Sequence, residues 1–134
     1  HDFLTVAAPT PFHDAGVAAL SLPDAFYAGL AKDYEAKRDL MLDILSRHGL
    51  PAYKPGGAYY VIADVSRFGF ASDSEFAQYL VKDIGVATVP GSSFYIDPAA
   101  APQTVRFCFS KRDETLYEAD KRLARLSIIS SDKA

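Results

Sequence analysis

The fold is decided by the stretch Thr104-Val105-Arg106-Phe107-Cys108-Phe109-Ser110, which is followed at once by Lys111-Arg112-Asp113-Glu114-Thr115-Leu116. β-Branched and aromatic residues dominate its first part, which predicts a strand because such side chains fit a half-buried pleated surface. Successive side chains of a strand point to opposite faces, so Val105, Phe107 and Phe109 should form a core face. Arg106 should lie on the other face.

Arg106 is the candidate binding residue of this stretch. Its small neighbours, Thr104 and Cys108, should leave space above the guanidinium, whose planar fork matches a carboxylate with two parallel charge-assisted hydrogen bonds. An internal ion pair or a solvated arginine on an edge strand is the alternative. The pattern alone favours this alternative, since arginine is usually exposed or paired.

Four blocks of the chain together resemble one family. They are His1-Asp2-Phe3-Leu4-Thr5 through Pro9-Thr10-Pro11, Gly56-Gly57-Ala58-Tyr59-Tyr60, Gly85-Val86-Ala87-Thr88-Val89-Pro90-Gly91-Ser92-Ser93-Phe94-Tyr95, and Arg106-Phe107-Cys108-Phe109-Ser110-Lys111-Arg112-Asp113-Glu114-Thr115-Leu116. In this order they resemble class I aminotransferases, the fold-type-I enzymes that use pyridoxal phosphate, and the kynurenine/methionine-type branch above all. The resemblance implies that Arg106 binds the α-carboxylate of an amino acid or 2-oxo acid substrate. It also implies a homodimer.

The resemblance divides the chain into four parts. It assigns 1–22 to a remnant of the large cofactor-binding domain, 23–49 to a long connecting helix, 50–127 to the C-terminal small domain, and 128–134 to a frayed tail. The chain begins in mid-motif and without an initiator Met. We therefore expect a C-terminal fragment of an aminotransferase.

Helices are predicted from hydrophobic spacing and from the residues that cap them. Asp24–His48 should form the long helix, which Gly49 ends in a left-handed conformation. Ser72-Asp73-Ser74-Glu75 is a capping box, in which serine takes the amide of Glu75 and glutamate reaches back, and Gly85 should end the helix that follows. A last helix should be capped by Asp113.

Strands are predicted between these helices, at 51–54, 58–64 and 86–89, and at the Arg106 stretch. The first should be an edge strand and the second a buried one, because 58–64 is almost continuously apolar. A small, mostly antiparallel or mixed sheet of about four strands beside separate helices is an α+β two-layer sandwich. The long connecting helix should precede it.

Composition excludes several classes of function. The chain has 134 residues, 49% of them hydrophobic, a net charge of −3 and a pI near 5.5. It lacks the basic stripe that nucleic-acid binding needs. No apolar run approaches the roughly 20 residues of a membrane span. Its one cysteine, Cys108, cannot form an internal disulfide, which fits a cytoplasmic protein, and no Cys/His spacing indicates a metal site.

The cofactor machinery should be absent from this chain. Pyridoxal phosphate chemistry needs a lysine that forms a Schiff base, together with a carboxylate for the pyridine nitrogen and a cup for the phosphate. Most lysines lie on helices beside other charges, where solvation keeps the amine protonated. Ser130-Ser131-Asp132-Lys133 has the bare spacing of a lysine motif but matches no family context. We therefore expect no catalytic and no cofactor-binding residue here, and an inactive fragment.

Other candidate residues have plainer interpretations. Tyr59 and Tyr60 point in opposite directions, so at most one faces a pocket, and core packing is favoured for both. Pro90-Gly91-Ser92-Ser93 could form an amide nest for an anion, although ordinary turn chemistry is favoured. His13 and His48 have no partner at acid/base spacing and should be surface or capping residues. For Thr5-Val6-Ala7 we favour interface packing over a place in a pocket.

A different class of function is the alternative. A stand-alone α+β regulatory domain that senses amino acids would also carry a carboxylate-matching arginine without a cofactor lysine. The segment His1–Leu4 and the helix that starts at Phe12 have no role in such a compact sandwich. For the fragment, lost packing partners should expose apolar surface and cause self-association or exchange of elements.

Overall fold

The structure is a computed structural model that describes residues 9–132, with side chains described from 9 to 126. The described α-helices are α1 (Thr10–Leu20), α2 (Asp24–Arg47), α3 (Asp73–Tyr79) and α4 (Asp113–Asp132). The described strands are β1 (Ala52–Tyr53), β2 (Tyr60–Asp64), β3 (Val89–Pro90) and β4 (Thr104–Cys108). The chain divides into two compact units, His1–Asp33 and Tyr34–Ala134. Helix α2 begins in the first unit and ends in the second.

The first unit contains α1 and the beginning of α2. Pro11 lies in the first turn of α1, where its missing N–H costs nothing. The Ser21 hydroxyl donates to the carbonyl of Val17 at 2.8 Å, and the Tyr27 hydroxyl donates to the carbonyl of Ala19. No residue of α1 is buried, so its apolar side chains face solvent.

The second unit is built on an antiparallel sheet in the order β1-β2-β4-β3. Helices α2, α3 and α4 pack on one face of this sheet, because their buried residues form a single core with those of β2 and β4. That core includes Met41, Ile44, Leu45, Val61, Ala63, Phe76, Val105, Phe107, Leu116, Leu123 and Leu126. Each fully buried Leu or Phe contributes about 1.5–3 kcal/mol. The predicted α+β arrangement with a small four-stranded sheet is confirmed.

Strand β2 differs from its prediction in two ways. It begins at Tyr60 rather than at residue 58, because Ala58 has a φ of 65°, a left-handed conformation that does not continue a strand. Its burial also alternates: Val61 and Ala63 are buried, whereas Tyr60 and Ile62 are partly exposed. One face of the strand meets the helices, and the other face does not.

The strand predicted at 86–89 is mostly wrong. The amides of Gly85 and Val86 both donate to the carbonyl of Leu80, at 2.7 and 2.9 Å, as the π-type turn Leu80–Ile84 ends. Val86 is thereby held to the end of the helix, and pairing with β4 starts at Val89. Gly85 has the expected positive φ, 83°.

The helix ends largely follow the predicted capping pattern. Gly49 follows α2 with a φ of 70°. The Ser72 hydroxyl accepts from the amide of Glu75 at 3.1 Å, as predicted, but the Glu75 carboxylate accepts from the amide of Ala71 rather than Ser72, at 3.0 Å. Helix α4 extends to Asp132, since no Gly or Pro interrupts it. Within the described residues, no helix is both long and apolar enough to cross a bilayer.

Candidate functional site

Strand β4 places Arg106 at the centre of the sheet. Arg106 pairs with Ile62 of β2 on one side and with Val89 of β3 on the other. Val105 and Phe107, its neighbours in the chain, are 0% and 2% exposed. The predicted core face of this strand is therefore confirmed, and the Arg106 side chain lies on the face away from the helices.

A cavity of about 410 Å³ covers this face. Its walls come from three strands and from the turns after β3 and before β4. The lining residues are Tyr53, Tyr60, Ile62, Gly91, Phe94, Tyr95, Pro102, Thr104 and Arg106. Arg106 is the charged residue of this set, and most of the other side chains are aromatic or apolar.

Two aromatic rings flank the guanidinium of Arg106. Its Cζ lies 5.0 Å from the ring centroid of Tyr60 and 5.0 Å from that of Phe94. Tyr60 reaches it from β2, where it pairs with Cys108 and is thus a diagonal neighbour of Arg106 on the same face. Both distances are within the range of cation–π attraction.

Arg106 makes no hydrogen bond or ion pair with any residue among 9–126. Its Nε is enclosed and has no partner, whereas the two terminal nitrogens are not enclosed in this way. The terminal nitrogens are therefore the donors that remain available to a ligand. A carboxylate can accept from both of them at once.

The wall that carries Phe94 is a short 3₁₀ turn, Gly91–Phe94, fixed at two points. The buried carboxylate of Asp73, at the start of α3, accepts from the Ser92 amide and from the Ser92 hydroxyl, both at 2.7 Å. Gly91 packs directly on Thr104, because a methyl group at Gly91 would lie 2.1 Å from Oγ1 of Thr104. Ordinary turn chemistry thus accounts for this segment, and Ser92 does not serve an anion nest.

Sequence patterns did not predict the two aromatic residues that contact the Arg106 guanidinium, Tyr60 and Phe94. Tyr60 and Tyr59 were both predicted to pack in the core, and both predictions are wrong: the Tyr60 ring lies against the Arg106 guanidinium, and Tyr59 is 50% exposed. One of the pair faces the cavity and the other does not, as strand alternation requires. Phe94 lies in the block 85–95, whose resemblance to the family implies no role for this residue. Alternation along β2 indicated only that one of the two adjacent tyrosines faces away from the core.

The remaining candidates are not among the residues that line the cavity in the described part of the chain. His13 is exposed. His48 was predicted to lack a partner, which is wrong, since its Nε2 lies 2.7 Å from Oδ1 of Asp120. Asp113 is the first residue of α4 and receives a 2.7 Å hydrogen bond from Lys37. Thr5-Val6-Ala7 and Lys133 lie outside the described residues.

Comparison with known proteins gives a consistent result. The sequence model of the family described as "Aminotransferase class I and II" matches residues 2–123. The protein named probable N-succinyldiaminopimelate aminotransferase DapC, from Mycobacterium tuberculosis, is 35% identical over an alignment of 134 residues, which covers 93% of this chain and 34% of that protein. Methionine aminotransferase from Escherichia coli is 33% identical over 126 residues, which covers 94% of this chain and 32% of that protein.

The similarity extends to three dimensions. The solved structure of N-succinyldiaminopimelate aminotransferase from Mycobacterium tuberculosis superposes on this chain with a TM-score of 0.81 at 35% identity. The superposition covers 93% of this chain and 33% of that structure. The chain thus spans about a third of the length of the curated relatives it matches.

Proposed function

Because the chain belongs to the aminotransferase class I and II family, we propose that it is the C-terminal part of an aminotransferase, with 50–127 as the small domain and 23–49 as the helix that connects it to the remnant 1–22. The relatives carry names of amino-acid aminotransferases. The reaction proposed for the intact protein is therefore transfer of an amino group between an amino acid and a 2-oxo acid. The role proposed for this part is recognition of the substrate carboxylate by Arg106.

The surroundings of Arg106 are the observation that carries the proposal. An arginine that lines a cavity, keeps its terminal nitrogens free and has no acidic partner among the described residues has a charge that is not yet matched. A carboxylate supplies the opposite charge and two acceptor oxygens with the right spacing. Because the amino acid and the 2-oxo acid both carry this group, one fixed guanidinium serves both directions of the reaction.

The fixed position of Arg106 has a chemical consequence. A side chain on an inner strand, flanked by two rings, holds a bound carboxylate in one orientation. The bonds at the neighbouring α-carbon are then oriented as well, and such positioning lowers a reaction barrier by several kcal/mol.

Pyridoxal phosphate is the cofactor generally used by this family, where it supplies the electron sink for chemistry at the α-carbon. The residues of the cavity do not fit it. Neither a lysine nor a carboxylate occurs among the residues that line the cavity in the described part of the chain. Lys37 is occupied by Asp113 and the carbonyl of Lys111, and Lys54 is a solvent-exposed residue near Asp39. We propose that the cofactor is held by parts of the aminotransferase outside this chain, and that the chain alone is inactive.

Substitution of Arg106 by lysine in the aminotransferase that contains this chain tests the proposal. Lysine keeps the charge but loses the fork. We expect kcat/KM for amino acid substrates to fall by about tenfold or more, since charge-assisted hydrogen bonds contribute ~1.5–3 kcal/mol. The decarboxylated amine of the same substrate should react equally poorly with both forms. Arg112→Lys, at an exposed position just before α4, is the matched control and should change neither value.

An unchanged ratio of amino acid to amine activity in Arg106→Lys, together with a lower melting temperature, would contradict the proposal. That outcome would mean that the guanidinium supports the fold and does not bind the carboxylate.

A further inference from the structure

We propose that Tyr60 and Phe94 are positioning residues that hold the Arg106 guanidinium against their rings, and that Asp73 maintains this arrangement by holding the turn that carries Phe94. The inference rests on the carboxylate-binding role proposed for Arg106 and deepens it. It assigns a role to three residues that lie on different elements of the second unit.

The first step is the freedom that Arg106 would otherwise have. An arginine side chain has several rotatable bonds, and most of this freedom is lost when the side chain is ordered. Hydrogen bonds commonly do this ordering, but Arg106 has none to residues in the described part of the chain. Contact with two aromatic rings is the restraint that the structure shows, with Cζ 5.0 Å from each centroid.

The second step concerns the guanidinium nitrogens of Arg106 that remain free to bind a ligand. Nε is fully enclosed at the base of the side chain, and the terminal nitrogens are not. Cation–π contact restrains the guanidinium without using a donor, because the ring faces attract the cation as a whole. A carboxylate that enters the cavity therefore meets two free donors whose orientation is already set, and it loses less of its binding free energy to ordering.

The third step is what holds Phe94. Phe94 is 59% exposed, so burial does little to fix its side chain. The turn beneath it is fixed instead: both the amide and the hydroxyl of Ser92 donate to Asp73, which is itself only 3% exposed. Loss of the Asp73 charge would release the turn two residues before Phe94.

The experiment uses the 134-residue chain with ¹⁵N-labelled arginine, acetate as the probe and sodium chloride as the ionic-strength control. Loss of a cross-peak in Arg106→Lys assigns the Arg106 Nε–H resonance. In the unmodified chain we expect this proton to be shifted by the two ring currents and to show contacts with the ring protons of Phe94 and Tyr60. We expect acetate, but not chloride, to move it in a saturable way.

The variants separate positioning from folding. Phe94→Leu and Tyr60→Leu should each remove part of the ring-current shift and weaken acetate binding by about three- to tenfold. Phe94→Tyr and Tyr60→Phe keep an aromatic face and should restore both. Asp73→Asn should resemble Phe94→Leu. Tyr59→Leu is the matched control, because Tyr59 contacts Tyr60 at 5.5 Å between ring centroids but does not line the cavity.

The possible outcomes are distinguishable. If the leucine variants keep the chemical shift and the acetate affinity of the unmodified chain, the positioning role is wrong. The positioning role would also be overturned if Arg106 in the unmodified chain showed no contact with either ring. This measurement does not depend on the folding of any variant. If the rings shift the Arg106 proton as expected but acetate never moves it, the positioning role stands and the proposed carboxylate binding fails.

Discussion

Arg106 differs from other arginines of the second unit in the groups that surround its guanidinium. Arg38, Arg47 and Arg122 each form an ion pair with at least one carboxylate, so their charges are matched within the chain. Arg106 lies against aromatic rings instead. Its charge is kept available while its position is fixed, a combination that suits the recognition of an anionic substrate.

Gly91 is the residue at which a small change should disturb the site most directly. In Gly91→Ala the new methyl group would lie 2.1 Å from Oγ1 and 3.1 Å from the backbone oxygen of Thr104, so the turn or β4 must shift. We expect the free energy of unfolding to fall by about 1–3 kcal/mol, the usual cost of overpacking. Thermal or urea unfolding followed by circular dichroism measures this.

Gly29→Ala is the contrasting control for that substitution. Gly29 lies within α2 and has no atom within 4 Å of an added methyl group. Alanine is the better helix former by about 1 kcal/mol, so this variant should be stabilised. Equal stability of Gly91→Ala and the unmodified chain would show that Thr104 yields easily to the added methyl group.

At the level of single residues, local patterns predicted the faces of β4 but not the surroundings of Arg106. Alternation along one strand requires only the chain itself, so Val105 and Phe107 could be assigned to the core. The stacking of Tyr60 and Phe94 requires the register of β2 against β4 and the path of the turn after β3. Neither can be read from a single stretch of sequence, and this is why Tyr60 was misplaced.

At the level of elements, the end of α2 is joined to α4 by a group of polar side chains. Asp120 of α4 accepts from Arg47 Nη1 at 2.9 Å and lies 2.7 Å from Nε2 of His48. Burial acts to raise the pKa of Asp120, but the hydrogen bonds from His48 and Arg47 outweigh it and hold the pKa below its usual value of 3.8. The connection therefore stabilises the fold while Asp120 is charged.

The pH dependence of stability should report this connection. Because the pKa of Asp120 is lower in the folded chain, its stabilisation is complete above pH 3.8 and is lost as the pH falls through the folded-state pKa. Asp120→Asn should lower the free energy of unfolding at neutral pH by about 1 kcal/mol, allowing for screening by solvent. Its stability should also fall less steeply on acidification, as urea unfolding from pH 7 to 2 would measure.

Asp33→Asn, at an exposed position on α2, serves as the control for Asp120→Asn and should match the unmodified chain at every pH. Parallel acid profiles for Asp120→Asn and the unmodified chain would mean that the connection does not depend on the charge of Asp120.

Helices that end at a glycine were predicted well, whereas the strand predicted at 86–89 was mostly wrong. Gly49 and Gly85 end their helices in the left-handed conformation that glycine allows most readily. Val86–Val89 has the composition of a strand, yet the amide of Val86 is engaged by Leu80. Hydrophobic spacing does not reveal a competing hydrogen bond to the preceding helix. The sequence pattern therefore predicted a strand that starts too early.

At the level of the whole molecule, the chain spans about a third of the length of its relatives, and none of the described residues of its first unit, 9–33, is buried. Large apolar side chains there are strongly exposed, including Phe12, Val17 and Leu20 at 69%, 67% and 84%. The second unit contains the core that is described above. A chain of this kind should depend on further contacts to cover its first unit.

We therefore expect the isolated chain to self-associate through its first unit. Exposed apolar surface favours association in water. Light scattering across micromolar concentrations should show the mean mass rising with concentration, and the double variant Val17→Lys, Leu20→Glu should reduce the rise. Ile96→Glu, which changes a fully exposed apolar residue of the second unit, is the control. A clean monomer at all concentrations would contradict this expectation.

We also expect the isolated chain to retain no pyridoxal phosphate. Its lysines in the described part are not among the residues that line the Arg106 cavity, and a solvated amine forms only reversible adducts with an aldehyde. After incubation with the cofactor and dialysis, the absorption band of a protein-bound Schiff base should be absent. A band that survives dialysis and, after borohydride reduction, maps to one lysine would show that the chain holds the cofactor itself.

The two outer strands of the sheet affect whether association of this chain leads to β-sheet fibrils. β1 and β3 are two residues long; Pro51 directly precedes β1, and Pro90 lies within β3. An outer strand invites fibril growth when it offers a long row of free backbone donors and acceptors, and proline removes a donor from that row. Neither margin of the sheet is a good template for another strand. The chain should therefore associate through its helices without forming amyloid. The fluorescence of dyes that bind cross-β structure should not increase while light scattering rises.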